Sequence, residues 1–530
     1  MAPPPGPVSV DEARVDEALR DQRTRSTGVR HVTEEPQSAS SSTGQSVGDS
    51  PDPTPALVPR PLSLRLRPDA FWTAGPEAGV RGPAEVAALA RELLDLTGSG
   101  PGVELTLVDD GGLGEEGYRL TVDDSGARAF AATATGLVWA VQTLRQLLRE
   151  RRLPHGEIVD RPRYAWRGSL LDVARHAHPL PFLYRYVDLL SLHKLNTLHL
   201  HLTDDQGWRF EVKRYPKLTE IGGFRTGSMI GHNRDGRRDD VLHGGSYTQA
   251  ELRDLVGYAA RRGVRIMPEI DAPGHMQAAI SAYPWLGNRP DRQLPVRVEW
   301  GISRHVLNAR ERTVEFVRDV LDELVDVFPF EFVHIGGDEV PAHEWLASPE
   351  ARERAAAERL AGPEELLGWW SRRLASHLAG HGRRVAVWDE LIEQGVPEGA
   401  VIFAWQNDER VGLAERGGHE LVAVPQQHTY LDYAESDAPD EPLAIGGGLP
   451  LSKVYSYRPP KSALGVQGQL WSEYLPTPAA VEWRAFPRLA AIAEIGWTAE
   501  DERDPADFER RLRGHLPLLD ELNVGYRPLR

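Results

Sequence analysis

Eight short apolar runs, separated by longer stretches of helical periodicity, constrain this chain more than any other feature. They are GSLLDV (168–173), NTLHLHL (196–202), VRIMPEI (264–270), FVHIGG (332–337), VAVWDE (385–390), VIFAW (401–405), ELVAVP (420–425) and GVQGQLW (465–471). Runs this short and this apolar suit parallel strands buried on both faces. Between them, TQAELRDLVGYAARRG opens with a capping box at Thr248 and Glu251 and stops at Gly263. RTVEFVRDVLDELVDVF sets Val317, Val320, Leu321 and Leu324 on one face, and FLYRYVDLLSLHKLN does the same with Leu183, Val187 and Leu190. Eight strands alternating with helices predict an α/β fold, a (β/α)8 TIM barrel over 163–530. The tightest connection is 406–419, with room for one helix.

The chain ahead of the barrel divides in two. Residues 58–162 read as a small α+β domain, with LSLRLR, VELTLV and GYRLTV as strands and AEVAALARELLDL and GLVWAVQTLRQLLRE as helices. Residues 1–57 are rich in Pro, Ser, Gly, Asp and Thr, and are expected to be a disordered tail, with a short helix possible around 10–22. A formal charge of −17 argues against nucleic acid or an anionic membrane as partner. No run approaches a membrane span, and the N-terminal stretch lacks the apolar core of a secretory signal, so the expected location is cytoplasmic. With no cysteine, disulfide and thiolate chemistry are excluded. Oligomeric state is not legible.

A barrel of this kind carries its site at the C-terminal ends of the strands. All eight runs end in polar or large aromatic groups: Asp172, Arg175 and His176; His199, His201, Asp204 and Asp205; Glu269, Asp271 and His275; Asp338 and Glu339; Trp388; Trp405; Tyr430 and Asp432; Trp471 and Glu473. The neighbours Asp338 and Glu339 can share a pocket only if their strand stops at Gly336 and Gly337, because side chains on a strand alternate faces. In a pocket, one carboxyl can stay ionised while its charge keeps the other protonated, the division of labour that glycoside cleavage requires. Three tryptophans with Tyr430 around those acids suggest a carbohydrate pocket, and Arg175 offers a fixed fork of donors for hydroxyl pairs. A competing reading takes His199 and His201, on one strand face, with His275, His334 and Asp338 as a zinc site. Strands five to eight supply no further histidine for it, so His199 and His201 read instead as buried packing residues.

The motifs HIGGDEV (334–340), LDVARH (171–176), LHLHLTDDQGWR (198–209), IDAPGH (270–275) and QLWSE (469–473) resemble those of the family 20 glycoside hydrolases, the β-N-acetylhexosaminidases, over about 60–510. The resemblance implies a catalytic barrel that uses no metal and no cofactor. It implies that Glu339 is the general acid, that Asp338 orients the N–H of a 2-acetamido group, and that Tyr430 bonds the acetamido oxygen. Trp388, Trp405 and Trp471 would wall the pocket, Arg175 and Glu473 would hold ring hydroxyls, and Asp432 would reach the C6 side. Asp204 and His275 would support Glu339. The implied partner is an oligosaccharide or glycoconjugate bearing N-acetylglucosamine or N-acetylgalactosamine. Release of a disaccharide such as lacto-N-biose, and a silent carbohydrate-binding protein, are the alternatives. Segment 433–464 lacks the further tryptophan looked for on the leaving-group side.

Overall fold

All eight apolar runs are strands in the computed structural model, which describes residues 55–232 and 235–529. They are Trp166–Asp172, Thr197–His201, Arg265–Glu269, Phe332–His334, Arg384–Trp388, Val401–Ala404, Leu421–Ala423 and Gly465–Leu470. Each pairs in parallel with its sequence neighbours, and the eighth closes on the first. The helices expected between them form at Leu180–Leu192, Gln249–Arg261 and Glu311–Val327. Thr248 and Glu251 make both halves of the capping box, and the tight connection holds one helix, Asp408–Arg416.

Alternation on the strands sorts the barrel. Leu198, Leu200, Ile266, Val333, Val385 and Ile402 face outward into the helix-lined core. Trp166, Leu170, Met267, Phe332, Val401 and Phe403 fill the interior as an apolar plug. Above that plug the register sets Asp172 opposite His201, His201 opposite Glu269, and Glu269 opposite His334. These four fully buried polar residues form a belt beneath the strand ends.

The preceding domain is a six-stranded mixed sheet in the order Ser63–Thr73, Arg152–Asp160, Tyr118–Asp123, Gly126–Ala131, Gly100–Leu107, Ala78–Arg81, packed with helices Ala84–Leu94 and Ala134–Leu147. Three strands were not legible: Ala78–Arg81 is short, Gly126–Ala131 is mostly small residues, and Arg152–Asp160 contains a Pro and a Gly that read as a turn. The sheet is tied to the barrel through Asp160, which accepts from Lys194 Nζ at 2.7 Å and from Trp497 Nε1 at 2.8 Å. The tail and short helix expected at the start of the chain lie outside the described residues up to residue 54; Leu57 is buried, and its carbonyl accepts from Arg511 Nη1 at 2.7 Å. No helix among the described residues is long and apolar enough to cross a membrane.

Candidate active site

The turn after the fourth strand explains how two consecutive carboxyls reach one cavity. The strand ends at His334, and Gly336 and Gly337 take φ values of 69° and 99°, which glycine adopts without penalty. A Cβ at Gly336 would stand 1.6 Å from Asp271 Oδ1, so any side chain there would evict Asp271. Gly337 donates its N–H to the same Asp271 oxygen at 3.1 Å. Glu339 follows at a φ of 50°, turning its side chain toward the space that Asp338 also faces.

That space is a cavity of about 310 Å³, lined by Arg175, Asp338, Glu339, Trp405, Tyr430, Asp432, Trp471 and Glu473 among others. Eight of the eleven expected residues thus meet there. Trp405 and Tyr430 lie nearly parallel, 6.0 Å apart and tilted by 21°. The Arg175 guanidinium sits 5.1 Å over the Trp471 ring, with Nη2 2.7 Å from Asp204 Oδ2 and Nε bonded to Gln206. Asp432 Oδ1 is buried without a hydrogen-bond partner among the described residues. Burial, then the neighbouring Asp432, pushes the Tyr430 hydroxyl well above its ordinary range, so it stays a donor at neutral pH.

The other three expected residues stand behind the cavity and do not line it. Trp388 is only 1% exposed; it packs 5.9 Å from the cavity-lining Trp471 and commits its indole N–H to Glu269 Oε1 at 2.9 Å. Asp204 and His275 are also buried. Asp204 Oδ1 lies 3.2 Å from His275 Nδ1, while His275 Nε2 points at Glu339 Oε2 across 3.6 Å.

This chain of contacts continues inward through strand-end residues to which the family resemblance gave no role. Asp204 Oδ2 accepts from His201 Nε2 at 3.0 Å, and His201 Nδ1 is bonded to Glu269. Glu269 also meets His334 Nδ1 at 2.7 Å and His199 Nε2 at 3.1 Å. Burial alone would lower the His201 pKa, but the Glu269 charge and the bonds to Asp204 and Glu269 raise it to about 10. His201 is therefore an imidazolium with both ring nitrogens engaged. Burial likewise opposes the His275 charge, yet Asp204, Asp271 and Asp338 hold its pKa well above the ordinary value.

The carboxyls at the back of the cavity are governed first by burial. Burial, then the charge of Asp271, pushes Asp338 well above the carboxylate range. Burial pushes Asp271 up to about 8, with Glu269 adding to the shift. Two buried carboxyls in hydrogen-bond contact hold a proton as a pair. Glu390, bonded to Trp405 Nε1 at 3.1 Å, is pushed up to about 9 by burial and then by Asp338. Asp271, Glu269 and His201 stand among the polar strand ends of the sequence, but their contacts with one another and with Asp338 do not show there. Glu390 follows Trp388 by two residues and was not among them.

A (β/α)8 barrel whose strand ends gather paired carboxyls and indoles around one cavity defines a protein of the glycoside hydrolase class. The chain belongs to glycosyl hydrolase family 20: the model of the family's catalytic domain matches residues 164–500, and that of its domain 2 matches 54–161. A Beta-hexosaminidase of Porphyromonas gingivalis is 37% identical over 436 residues, covering 78% of this chain but only 55% of that relative. A Beta-N-acetylhexosaminidase of Cellulomonas fimi is 34% identical over 514 residues, covering 90% of this chain and 96% of the relative. The solved GH20 Exo beta-N-Acetylglucosaminidase of Vibrio harveyi in complex with N-acetylglucosamine superposes with a TM-score of 0.80 at 34% identity, over 94% of this chain and 81% of that one.

Proposed function

We propose that the chain is a retaining exo-β-N-acetylhexosaminidase that removes terminal non-reducing N-acetylglucosamine or N-acetylgalactosamine by substrate-assisted catalysis. The observation that carries this reading is the contrast between two consecutive carboxyls on one cavity. Glu339 is part-exposed and backed by a charged histidine; Asp338 is buried against Asp271, where burial disfavours its anion. With a proton held between Asp338 and Asp271, Asp338 is a poor nucleophile in the resting site. Its anion becomes favourable only as positive charge grows on an amide nitrogen beside it. The nucleophile is then the substrate's acetamido oxygen, which attacks C1 as the glycosidic bond breaks and closes an oxazolinium ring.

In this mechanism Glu339 gives its proton to the leaving oxygen, then takes one from the water that opens the ring, restoring the β-configuration. Asp338 accepts the acetamido N–H and steadies the positive charge that grows on nitrogen. Tyr430 donates to the acetamido oxygen and aims it at C1. Trp405 and Trp471 enclose the methyl and the apolar face of the ring, with Trp388 packed against Trp471. Arg175 and Glu473 hold ring hydroxyls, and the unpartnered Asp432 oxygen accepts another. None of these steps calls for a metal. The rim of the cavity includes Ile302 and Ile445, both about half exposed.

The test is a panel of nitrophenyl glycosides. Hydrolysis of the N-acetylglucosaminide or N-acetylgalactosaminide, with the plain glucoside inert, is the expected result. Release of nitrophenol only from a lacto-N-bioside would replace this reading with a disaccharide-releasing one.

A further inference from the structure

Two of the helices that wrap the barrel bring ligating side chains together where they are partly exposed. Helix Glu311–Val327 leads into the fourth strand and helix Leu366–Gly380 leads into the fifth. His377 and His381 are four residues apart, so they rise on one face of the second helix and its C-terminal cap. Their Nε2 atoms converge on a single oxygen of the first helix: His377 lies 2.6 Å and His381 3.0 Å from Asp322 Oδ1. The imidazole centroids are 5.1 Å apart, and the ligating atoms all fall within 4.8 Å of one another. We propose that Asp322, His377 and His381 form a surface site for a divalent transition-metal ion that clips these two helices together.

Two nitrogens and one carboxylate oxygen are a borderline donor set, suited to zinc or copper(II) and poorly suited to magnesium or calcium. Three protein ligands leave a tetrahedral zinc one position for water. Around an ion with bonds of about 2.0–2.2 Å, the present nitrogen-to-oxygen gaps would widen by only some tenths of an ångström. The side chains are between a fifth and a half exposed, so nothing buried must move to allow it. The rival arrangement, in which both imidazoles donate N–H groups to the carboxylate, binds no ion. The chain's charge of −17 favours cations near its surface.

The two helices flank, in sequence, the strand whose following turn carries Asp338 and Glu339. An ion bound only by the folded state raises the folded-to-unfolded ratio about a hundredfold at a free concentration one hundred times its Kd. The site is a stabilising clip and takes no part in turnover.

The full chain, prepared without a polyhistidine tag and stripped with EDTA, should be titrated with zinc chloride by calorimetry. One saturable site is expected, weakened at least tenfold in a His377→Gln, His381→Gln double variant and in Asp322→Asn, with hydrolysis unchanged in all three proteins and after EDTA. Zinc should raise the unfolding midpoint of the wild type and not of the variants. Equal binding by wild type and variants, or none by the wild type, would overturn the proposal. Cobalt(II) absorbance provides the second reading: a visible band of a low-coordinate site in the wild type, absent from the Asp322→Asn protein, supports it, and the same band in both defeats it.

Discussion

His275 Nε2 stands 3.6 Å from Glu339 Oε2, and both residues hold a φ of 50°. Left-handed backbone costs a residue with a Cβ roughly 1–2 kcal/mol, so the fold maintains this pair at two strained positions. The separation is longer than a hydrogen bond, and His275 Nε2 is buried with no other hydrogen-bond partner among the described residues. Contacts of this kind are often long without substrate and tighten when it binds. On the proposed mechanism, His275 positions the Glu339 carboxyl, and its charge meets the glutamate's once the proton has gone to the leaving group.

Replacing Glu339 by Gln should lower kcat/KM by roughly 10²–10⁴-fold on substrates with poor leaving groups, the usual worth of general acid catalysis. Nitrophenyl glycosides need little protonation and should lose much less. Steady-state rates across leaving groups of graded basicity check this, and equal losses on all of them would remove Glu339 from the acid's role.

The barrel was legible because its signals are local. Each apolar run carries its own strand, and the Thr248–Glu251 box marks its own helix start. The aromatic and acidic strand ends were legible too, since a barrel sends them all to one rim. What the residues alone did not show is register. Whether His201 sits beside Glu269 depends on how far one strand slides past the next, and that is set by packing across the whole barrel. For the same reason the place of Trp388 at a strand end is legible, because it is local, while its bond to Glu269 is not. The Asp271–Asp338 contact needs a turn from one strand end to meet the loop of another, which single-sequence spacing does not encode.

The inner end of the relay gives a second test. Glu269 touches no part of the cavity, yet it fixes the imidazolium of His201, which holds Asp204 and through it His275. A Glu269→Gln variant keeps the shape and loses the charge. It should reduce kcat about tenfold or more with little change in KM, and more on poor leaving groups than on nitrophenol. A uniform loss across leaving groups, or a change confined to KM, would assign Glu269 to packing alone.

A third test reads the proton shared by Asp271 and Asp338. Both are raised in the folded state, Asp271 to about 8, so the stability that their protonated form supports is present below the unfolded value near 4 and drains away as pH climbs through about 8. Asp271→Asn removes the like charge and leaves Asp338 easier to ionise. The acid limb of kcat/KM against pH should therefore move down by about one unit or more, and the variant should lose less stability than the wild type between pH 5 and 8. A limb that stays in place would mean Asp338 does not titrate in the working range.

The last test separates an orienting Asp338 from an attacking one. If the acetamido oxygen is the nucleophile, its basicity sets the rate. One, two and three fluorines on the acetyl methyl should slow turnover stepwise, with the steepest response on nitrophenyl glycosides, where proton donation contributes least. A cyclic thiazoline that mimics the closed ring should bind far more tightly than substrate, as species resembling the transition state do. Asp338→Asn should lose rate because a neutral amide cannot balance positive charge growing on the acetamido nitrogen, and it should lose most of the thiazoline affinity with it. Were Asp338 to attack C1 instead, fluorination would matter little, the plain glucoside would be a tolerable substrate, and a sugar ester on Asp338 could be trapped and weighed by mass spectrometry. The burial of that carboxyl against Asp271 argues for the first outcome, since an anion disfavoured before the reaction begins has little to offer as a nucleophile.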